Sequence, residues 1–310
     1  MQVVRGIENF KPGEKPIYLA LGNFDGLHQG HQRLIRELVE AARSGGGIAA
    51  AFVFEPHPMK VLFPERSMKL LVSTECKAEL MAKLGLDLLI YNNFTLDISR
   101  CSPEEFVQRI LINKLNCKQV FVGFNYTFGH KGAGTPDLLQ ELGKKHGFAV
   151  RIIAPVEING EVISSSLIRQ ALASGDIERA RTMLGYAPVL EGQVIEGERR
   201  GSTIGFPTAN IGVSSAQNIP GKGVYAARAE VNERIFQAVV NIGSKPTFHK
   251  EYPISVEAHL IDFQDDIYGE KLRLCFIKKI RDERRFNNVE ELVQQIALDR
   301  DKAREIASGQ

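Results

Sequence analysis

Short apolar runs alternate with amphipathic stretches through the first half of the chain. Residues 17–22 (IYLALG), 48–54 (IAAAFVF), 86–91 (LDLLIY), 119–124 (QVFVGF) and 148–153 (FAVRII) are apolar almost throughout, which predicts strands covered on both faces. Helical periods lie between them. In 33–43 (RLIRELVEAAR), Leu34, Ile35, Leu38, Val39 and Ala42 share one helical face, and the SGGG of 44–47 ends the run. TECKAELMAKLG and SPEEFVQRILINKL read as helices too, the second opened by Ser102 as N-cap, with Pro103 and two glutamates behind it. Strands alternating with helices predict an α/β module built on a parallel sheet.

Near residue 185 the pattern changes. VLEGQVIEG, GVYAARAEV, RIFQAVVNIG, SVEAHLID and KLRLCFIKKI alternate with period two, separated by turns such as 231–234 (VNER) and 265–270 (DDIYGE). That predicts an antiparallel, all-β segment closed into a small barrel. Residues 289–307 read as one long terminal helix. The boundary is expected within 185–192, giving modules 1–186 and 187–310, and a length of 310 residues suits two domains at roughly 150 residues each.

Composition narrows the class. Hydrophobic residues make up 44% and charged residues 25%, as in a soluble globular chain with cores large enough to fold unaided. The net charge is +2, with no block of Lys and Arg, which argues against nucleic acid as a partner. Cys76, Cys101, Cys117 and Cys275 form no CxxC pair and are expected as buried reduced thiols. MQVVRGIENF lacks the apolar core of a signal sequence and no run approaches 18 apolar residues, so a cytoplasmic protein without a membrane partner is expected. Monomer and homo-oligomer both stay open.

In open α/β sheets, ligands bind beyond the carboxyl ends of the strands. The unusual loops fall there: GNFDGLHQGH after the first strand, EPHP (55–58) after the second, NNFT (92–95) after the third and GFNYTFGHKGAGT (123–135) after the fourth. In the first of these, His28 and His31 lie three apart where a strand gives way to a helix, so both point to one side of the first helical turn. Glycines admit close backbone approach, and a helix N-terminus attracts anions. The stretch therefore suits a polyphosphate whose charge redistributes during reaction. Zinc is the competing ligand, although no third Cys, His or carboxylate is placed to complete a site, and a plain glycine turn with surface histidines is the bland alternative. No GxxxxGK[ST] occurs, which argues against a P-loop ATPase.

HQGH after a first strand resembles the HxGH signature of nucleotidylyltransferases. GNFDGLHQGH, FEPHP, GFNYTFG and ISSSLIR, in that order, resemble the adenylyltransferase module of bacterial bifunctional riboflavin kinase/FAD synthetases over about residues 15 to 185. The resemblance implies a Rossmann-like nucleotidylyltransferase fold. It implies that His28 and His31 stabilise the ATP phosphates and the departing pyrophosphate. Gly22, Asn23, Phe24, Asp25 and Gly30 would shape the nucleotide pocket. His57 and Asn125 would line the site near the flavin phosphate or ATP. Ser164, Ser165 and Arg169 would close over the triphosphate. Ser166 replaces a usual Thr, and Leu167 stands where many members carry a further Arg.

GFPTANI, GVYAA, VVNIGSKPTF, VEAHLIDF, DIYGEKL and IRDERRF together resemble the riboflavin kinase module over about residues 187 to 305. Here the resemblance implies a six-stranded barrel with a helical tail. Thr208 and Asn210 would bind Mg²⁺ and ATP phosphates, their hydroxyl and amide oxygens being hard ligands. Gly205, Phe206 and Pro207 would form the turn at the nucleotide, and Glu257 would be the catalytic base. Arg281 and Phe286 are candidate nucleotide or flavin contacts. GERRGS (197–202) lacks a second Arg that many members have near Ser202.

The chemistry matches this division. An FMN phosphate is largely dianionic at neutral pH, with a second pKa of about 6, and needs no general base. Riboflavin's 5′-hydroxyl is neutral and benefits from a carboxylate that takes its proton. The implied function is phosphorylation of riboflavin to FMN and adenylylation of FMN to FAD, with ATP, riboflavin and FMN as substrates and Mg²⁺ as cofactor. A kinase with a weak or degenerate adenylyltransferase module, suggested by Leu167, and a flavin-binding regulator are the alternatives.

Overall fold

β2 (Ile17–Leu21) is buried at all five positions and lies at the centre of a six-stranded parallel sheet. The computed structural model describes residues 1–66, 68–197, 200–244 and 254–308. The chain divides into two compact units, Met1–Met68 with Thr74–Ser164, and Lys69–Ser73 with Ser165–Gln310.

In the first unit the order is β1 (Gln2–Arg5), β2, α1 (Gln29–Ser44), β3 (Ile48–Phe54), α2 (Pro58–Leu62), α3 (Thr74–Lys83), β4 (Leu88–Asn92), α4 (Leu96–Arg100), α5 (Pro103–Phe106), β5 (Cys117–Gly123), α6 (Pro136–His146) and β6 (Ala149–Ile153). A small hairpin of β7 (Glu157–Ile158) and β8 (Glu161–Val162) follows. Alternation along β2 sorts the two cores. Ile17, Leu19 and Leu21 pack with Phe106, Val107, Leu111 and Leu139 on one face, while Tyr18 and Ala20 pack with Leu34, Ile35, Leu38 and Met81 on the other. That is why the sequence of the central strands is continuously apolar.

The strand order is β1-β4-β3-β2-β5-β6. β2 pairs with β3 on one side and β5 on the other, so the order reverses at β2 and a crevice opens beyond its carboxyl end. Residues 22–31 occupy that place.

Three features differ from the sequence reading. β1 adds a sixth strand beside β4. It has four residues, of which only Val4 is buried, so its pattern carries no strand signal. The helix read over 33–43 begins earlier, at Gln29. The SPEEFVQRILINKL run is interrupted: α5 opens on the expected cap, with the Ser102 and Glu105 side chains each bonded to the other's backbone N–H, then widens into a π-helical turn over Val107–Ile112.

The second unit opens with α7 (Ser165–Ser174) and α8 (Ile177–Leu184). β9 (Val189–Ile195), a short α9 (Arg200–Thr203), β10 (Ala209–Gly212), β11 (Gly223–Val231), β12 (Arg234–Ser244), β13 (Ile254–Leu260) and β14 (Lys271–Arg281) follow, and α10 (Val289–Ser308) ends the described chain. The six strands close into an antiparallel barrel in the order β10-β13-β12-β11-β14-β9, with β9 pairing β10 to complete the ring. VNER forms the tight β11–β12 hairpin. Asn232 (φ 48°) and Glu233 (φ 62°) both adopt the left-handed conformation that such a two-residue turn needs. Segment 69–73 is laced to this unit. Leu70 N–H donates to Ala216 O (2.7 Å), Asn218 N–H donates to Leu70 O (2.8 Å), and Ser73 Oγ donates to the buried Glu191 carboxylate (2.6 Å). Burial alone would raise the Glu191 carboxyl, but hydrogen bonds from Ser73, Arg273 and Lys271 outweigh it and hold the group below its ordinary value.

Candidate functional site

The turn between β2 and α1 is built around strained backbone. Phe24 (φ 49°), Gly26 (φ 75°) and Leu27 (φ 36°) all lie in the left-handed region. The Phe24 ring is buried against Gly22, where an added Cβ would sit 3.0 Å from it. This close approach explains a glycine at 22. His28 is the N-cap of α1, and its Nδ1 accepts from His31 N–H at 3.4 Å. The two imidazoles stack with centroids 3.7 Å apart and planes 18° from parallel, and the Phe24 ring meets His31 edge-on at 5.3 Å. A Cβ on Gly30 would lie 3.3 Å from the His28 ring, so Gly30 gives that ring room.

Burial sets the charge state of this pair. It lowers the pKa of His28 to about 4. It lowers that of His31 well below the usual histidine value, with smaller contributions from His28 and Lys77. Both rings are therefore neutral at physiological pH. They offer N–H donors and orientation rather than positive charge. His31 Nδ1 is buried without a hydrogen-bond partner among the described residues.

Asp25 is buried in the same turn (3% exposed), and Asn23 accepts at its carbonyl from Lys77 Nζ of α3 at 2.7 Å. His57 is the N-cap of α2, its Nδ1 accepting from Met59 N–H at 3.2 Å. Asn125 lies exposed on the turn after β5. The ISSSLIR stretch is divided: Ser164 closes the first unit, while Ser165 and Arg169 belong to α7 in the second. There Arg169 Nε donates to Lys69 O at 2.8 Å.

Two cavities open at this end of the sheet. One of 720 Å³ lies on the β1 side among Arg5, Glu55, Tyr91 and Arg109 and does not reach residues 22–31. The other, of 660 Å³, does: it runs from Gly22 and Asn23 between Phe54, Phe63, Phe106 and Phe128. Tyr126 and Phe128 stack at 5.8 Å along it. This aromatic slot and Lys77 escaped the sequence reading. Single aromatics look like core residues in any sequence. Lys77 did leave a signal, since it takes an apolar-face position of α3 one turn before Met81.

In the second unit, register brings the other candidates together. Asn210 of β10 stands directly opposite Glu257 of β13, and Glu257 stands opposite Asn241 of β12. Directly paired residues project from the same face with Cβ atoms about 5 Å apart. Asn241 was not singled out from the sequence, although it lies in VVNIGSKPTF. Residues 245–248 of that motif, and 198–199 of GERRGS, lie outside the described residues. Thr208 and Asn210 press against glycines. A Cβ on Gly201 would overlap the Phe206 carbonyl and lie 3.2 Å from Thr208 Oγ1, and one on Gly197 would overlap the Asn210 side chain.

Gly205 (φ 85°) makes the turn before Phe206. The Phe206 ring is held by His259, edge-on at 5.4 Å, and by Arg300 over its face at 5.9 Å, while His259 Nδ1 donates to Pro207 O at 2.8 Å. A cavity of 230 Å³ lies beside Pro207 and Thr208, bounded by Leu260, Phe263 and Tyr268. The Arg281 guanidinium is committed to the buried Asp299 of α10, with Nε and Nη2 2.8–3.1 Å from its carboxylate oxygens. This pair fastens the terminal helix to the barrel.

Comparisons with known proteins agree with both halves. A family model described as FAD synthetase matches residues 11–167, and one described as riboflavin kinase matches residues 184–307. The chain is 38% identical over 289 residues to a bifunctional riboflavin kinase/FMN adenylyltransferase of Bacillus subtilis, covering 92% of this chain and 90% of that protein. It is 34% identical over 307 residues to the protein of the same description in Escherichia coli K12, covering 98% and 97%. A crystal structure described as a macrolide-efflux protein of Streptococcus pneumoniae superposes with a TM-score of 0.89 at 29% identity, covering 97% of this chain and 98% of that one. Among the described residues, no helix here is long and apolar enough to cross a membrane.

Proposed function

The chain belongs to the bifunctional riboflavin kinase/FMN adenylyltransferases, and from that premise we propose which of its residues perform the two reactions. Riboflavin is phosphorylated by ATP to FMN, and FMN is adenylylated by a second ATP to FAD with release of pyrophosphate. We take 1–186 as the adenylyltransferase module and 187–310 as the kinase module.

For adenylyl transfer, the FMN phosphate oxygen attacks the α-phosphorus of ATP and the bond to pyrophosphate breaks. The nucleophile is already ionised, so the site has to position and stabilise rather than deprotonate. The stacked neutral pair His28 and His31 at the α1 N-terminus supports this role. Imidazole N–H groups at a helix N-terminus can meet phosphate oxygens there without a proton changing hands. Gly22, Asn23, Phe24, Asp25 and Gly30 shape the turn. The 660 Å³ aromatic slot beginning at Gly22 suits a planar flavin ring. His57 and Asn125 are assigned to the rim, and Ser164, Ser165 and Arg169 to the ATP triphosphate, on the motif resemblance.

For phosphorylation, the riboflavin 5′-hydroxyl attacks the γ-phosphorus, its proton passes to Glu257, and ADP leaves. The observation that carries this is the register, which sets Glu257 directly opposite Asn210. Thr208 and Asn210 would hold Mg²⁺. Their hydroxyl and amide oxygens are hard donors that fit a small hard cation, and a Cβ on Gly201 would lie 3.2 Å from Thr208 Oγ1. The ion supplies stabilisation of phosphate charge. Gly205, Phe206 and Pro207 form the adjoining turn, and the 230 Å³ cavity beside Thr208 suits the nucleotide base. We assign the protein to the cytoplasm.

Reciprocal variants test the division. Glu257→Gln is expected to lower FMN formation at least a hundredfold while leaving conversion of supplied FMN to FAD intact. His28→Asn with His31→Asn is expected to do the reverse. Loss of both activities in either folded variant overturns the assignment.

A further inference from the structure

Lys77 is a lysine where a helix should place an apolar residue. On α3 the buried positions are Cys76, Lys77 and Met81, and Lys77 is only 7% exposed. A methionine would fill the same space without desolvating a charge. The ammonium is nevertheless placed with care. Nζ donates to the carbonyl of Asn23 at 2.7 Å, one residue before the left-handed Phe24 whose ring edges His31. The carboxylates of Asp25 and Glu55 face it and oppose the lowering of its pKa by burial. Glu55 is itself held by Thr74 Oγ1 (2.6 Å) and Arg5 (2.8 Å). Its charge also acts on the His31 ring, which stacks on His28 and meets Phe24 edge-on.

The α1 N-terminus and two neutral imidazoles supply N–H donors but no full charge. Lys77 brings one to the back of the turn. We propose that Lys77 is a positioning residue for adenylyl transfer: its ammonium pins the 23–25 turn through the Asn23 carbonyl and puts a positive charge within reach of the His31 ring. The proposal rests on the reading of this turn as the adenylyl-transfer site. Burial is the larger cause of His31's low basicity, with His28 and Lys77 adding to it.

The test uses the full chain with Lys77→Met and Lys77→Gln. The first removes charge and donor, and the second keeps a donor for Asn23 O without the charge. Three quantities are read: kcat and KM for FMN in FAD formation, riboflavin phosphorylation in the same preparation, and the titration of the His31 ring followed by NMR without ligand. In both variants kcat should fall at least tenfold with KM for FMN within about twofold, phosphorylation should be unchanged, and His31 should titrate at higher pH than in the parent protein. Wild-type kcat, or an unmoved His31 titration in a folded variant, overturns the proposal. A His28→Asn, His31→Asn variant is run beside them. If it still forms FAD, the site reading itself fails. If it does not while Lys77→Met matches the parent, only the role of Lys77 fails.

Discussion

His28 and His31 are neutral because their surroundings hold too little water to stabilise a charged ring, and that has a consequence for stability. In the unfolded chain His28 takes up a proton near pH 6.5, whereas in the fold it does so only near pH 4. Between those values the unfolded chain binds more protons, so stability falls as pH drops from 6.5 toward 4 and is unaffected above 6.5. The contribution of His28 is on the order of 3 kcal/mol. Melting of the first unit should therefore drop between pH 7.5 and pH 5, and His28→Gln should flatten the drop. An equal fall in the variant would show that other groups cause it. The sequence made this pair legible because glycines, histidines and a strand-to-helix switch coincide there. It could not reveal the charge state, which depends on how deeply Phe24 and α3 bury the rings. Asn241 escaped notice for a similar reason, since only strand register sets it beside Glu257.

At the scale of elements, apolar runs located five of the parallel strands: β2, β3 and β4 are buried on both faces, whereas the edge strand β6 buries only Ile153 and shows by its apolar composition alone. β1, with one buried residue in four, has no such run, and β10 is only four residues long inside a Pro turn. The terminal helix was legible as a helix, but what anchors it was not. Arg281, expected from the sequence to touch nucleotide or flavin, bonds Asp299 across the barrel–helix junction, with the Asp299 side chain only 3% exposed. Removing one member of such a buried pair leaves the other charge uncompensated. Asp299→Ala should destabilise the second unit by about 3 kcal/mol in denaturant melts. Arg281→Met combined with Asp299→Leu should recover much of that, because an apolar pair carries no desolvation cost. A double variant no more stable than the single one would show that the ion pair is not what holds α10.

For the whole molecule, two different phosphate chemistries call for two different sites. A neutral hydroxyl needs a base, the role proposed for Glu257 of the barrel. An ionised phosphate needs donors without a base, the role proposed for the two neutral histidines at the sheet. The order of events follows, because the product of the second unit is the nucleophile of the first. Leu167, where the motif resemblance implies an arginine, leaves both histidines and Arg169 in place, so the second reaction should proceed. The direct measurement is a chromatographic time course of the purified chain with riboflavin, ATP and Mg²⁺. FMN should rise first, with FAD following at its expense. FMN accumulating without FAD would contradict the adenylyl-transfer half, and folded protein giving neither product would contradict the account altogether.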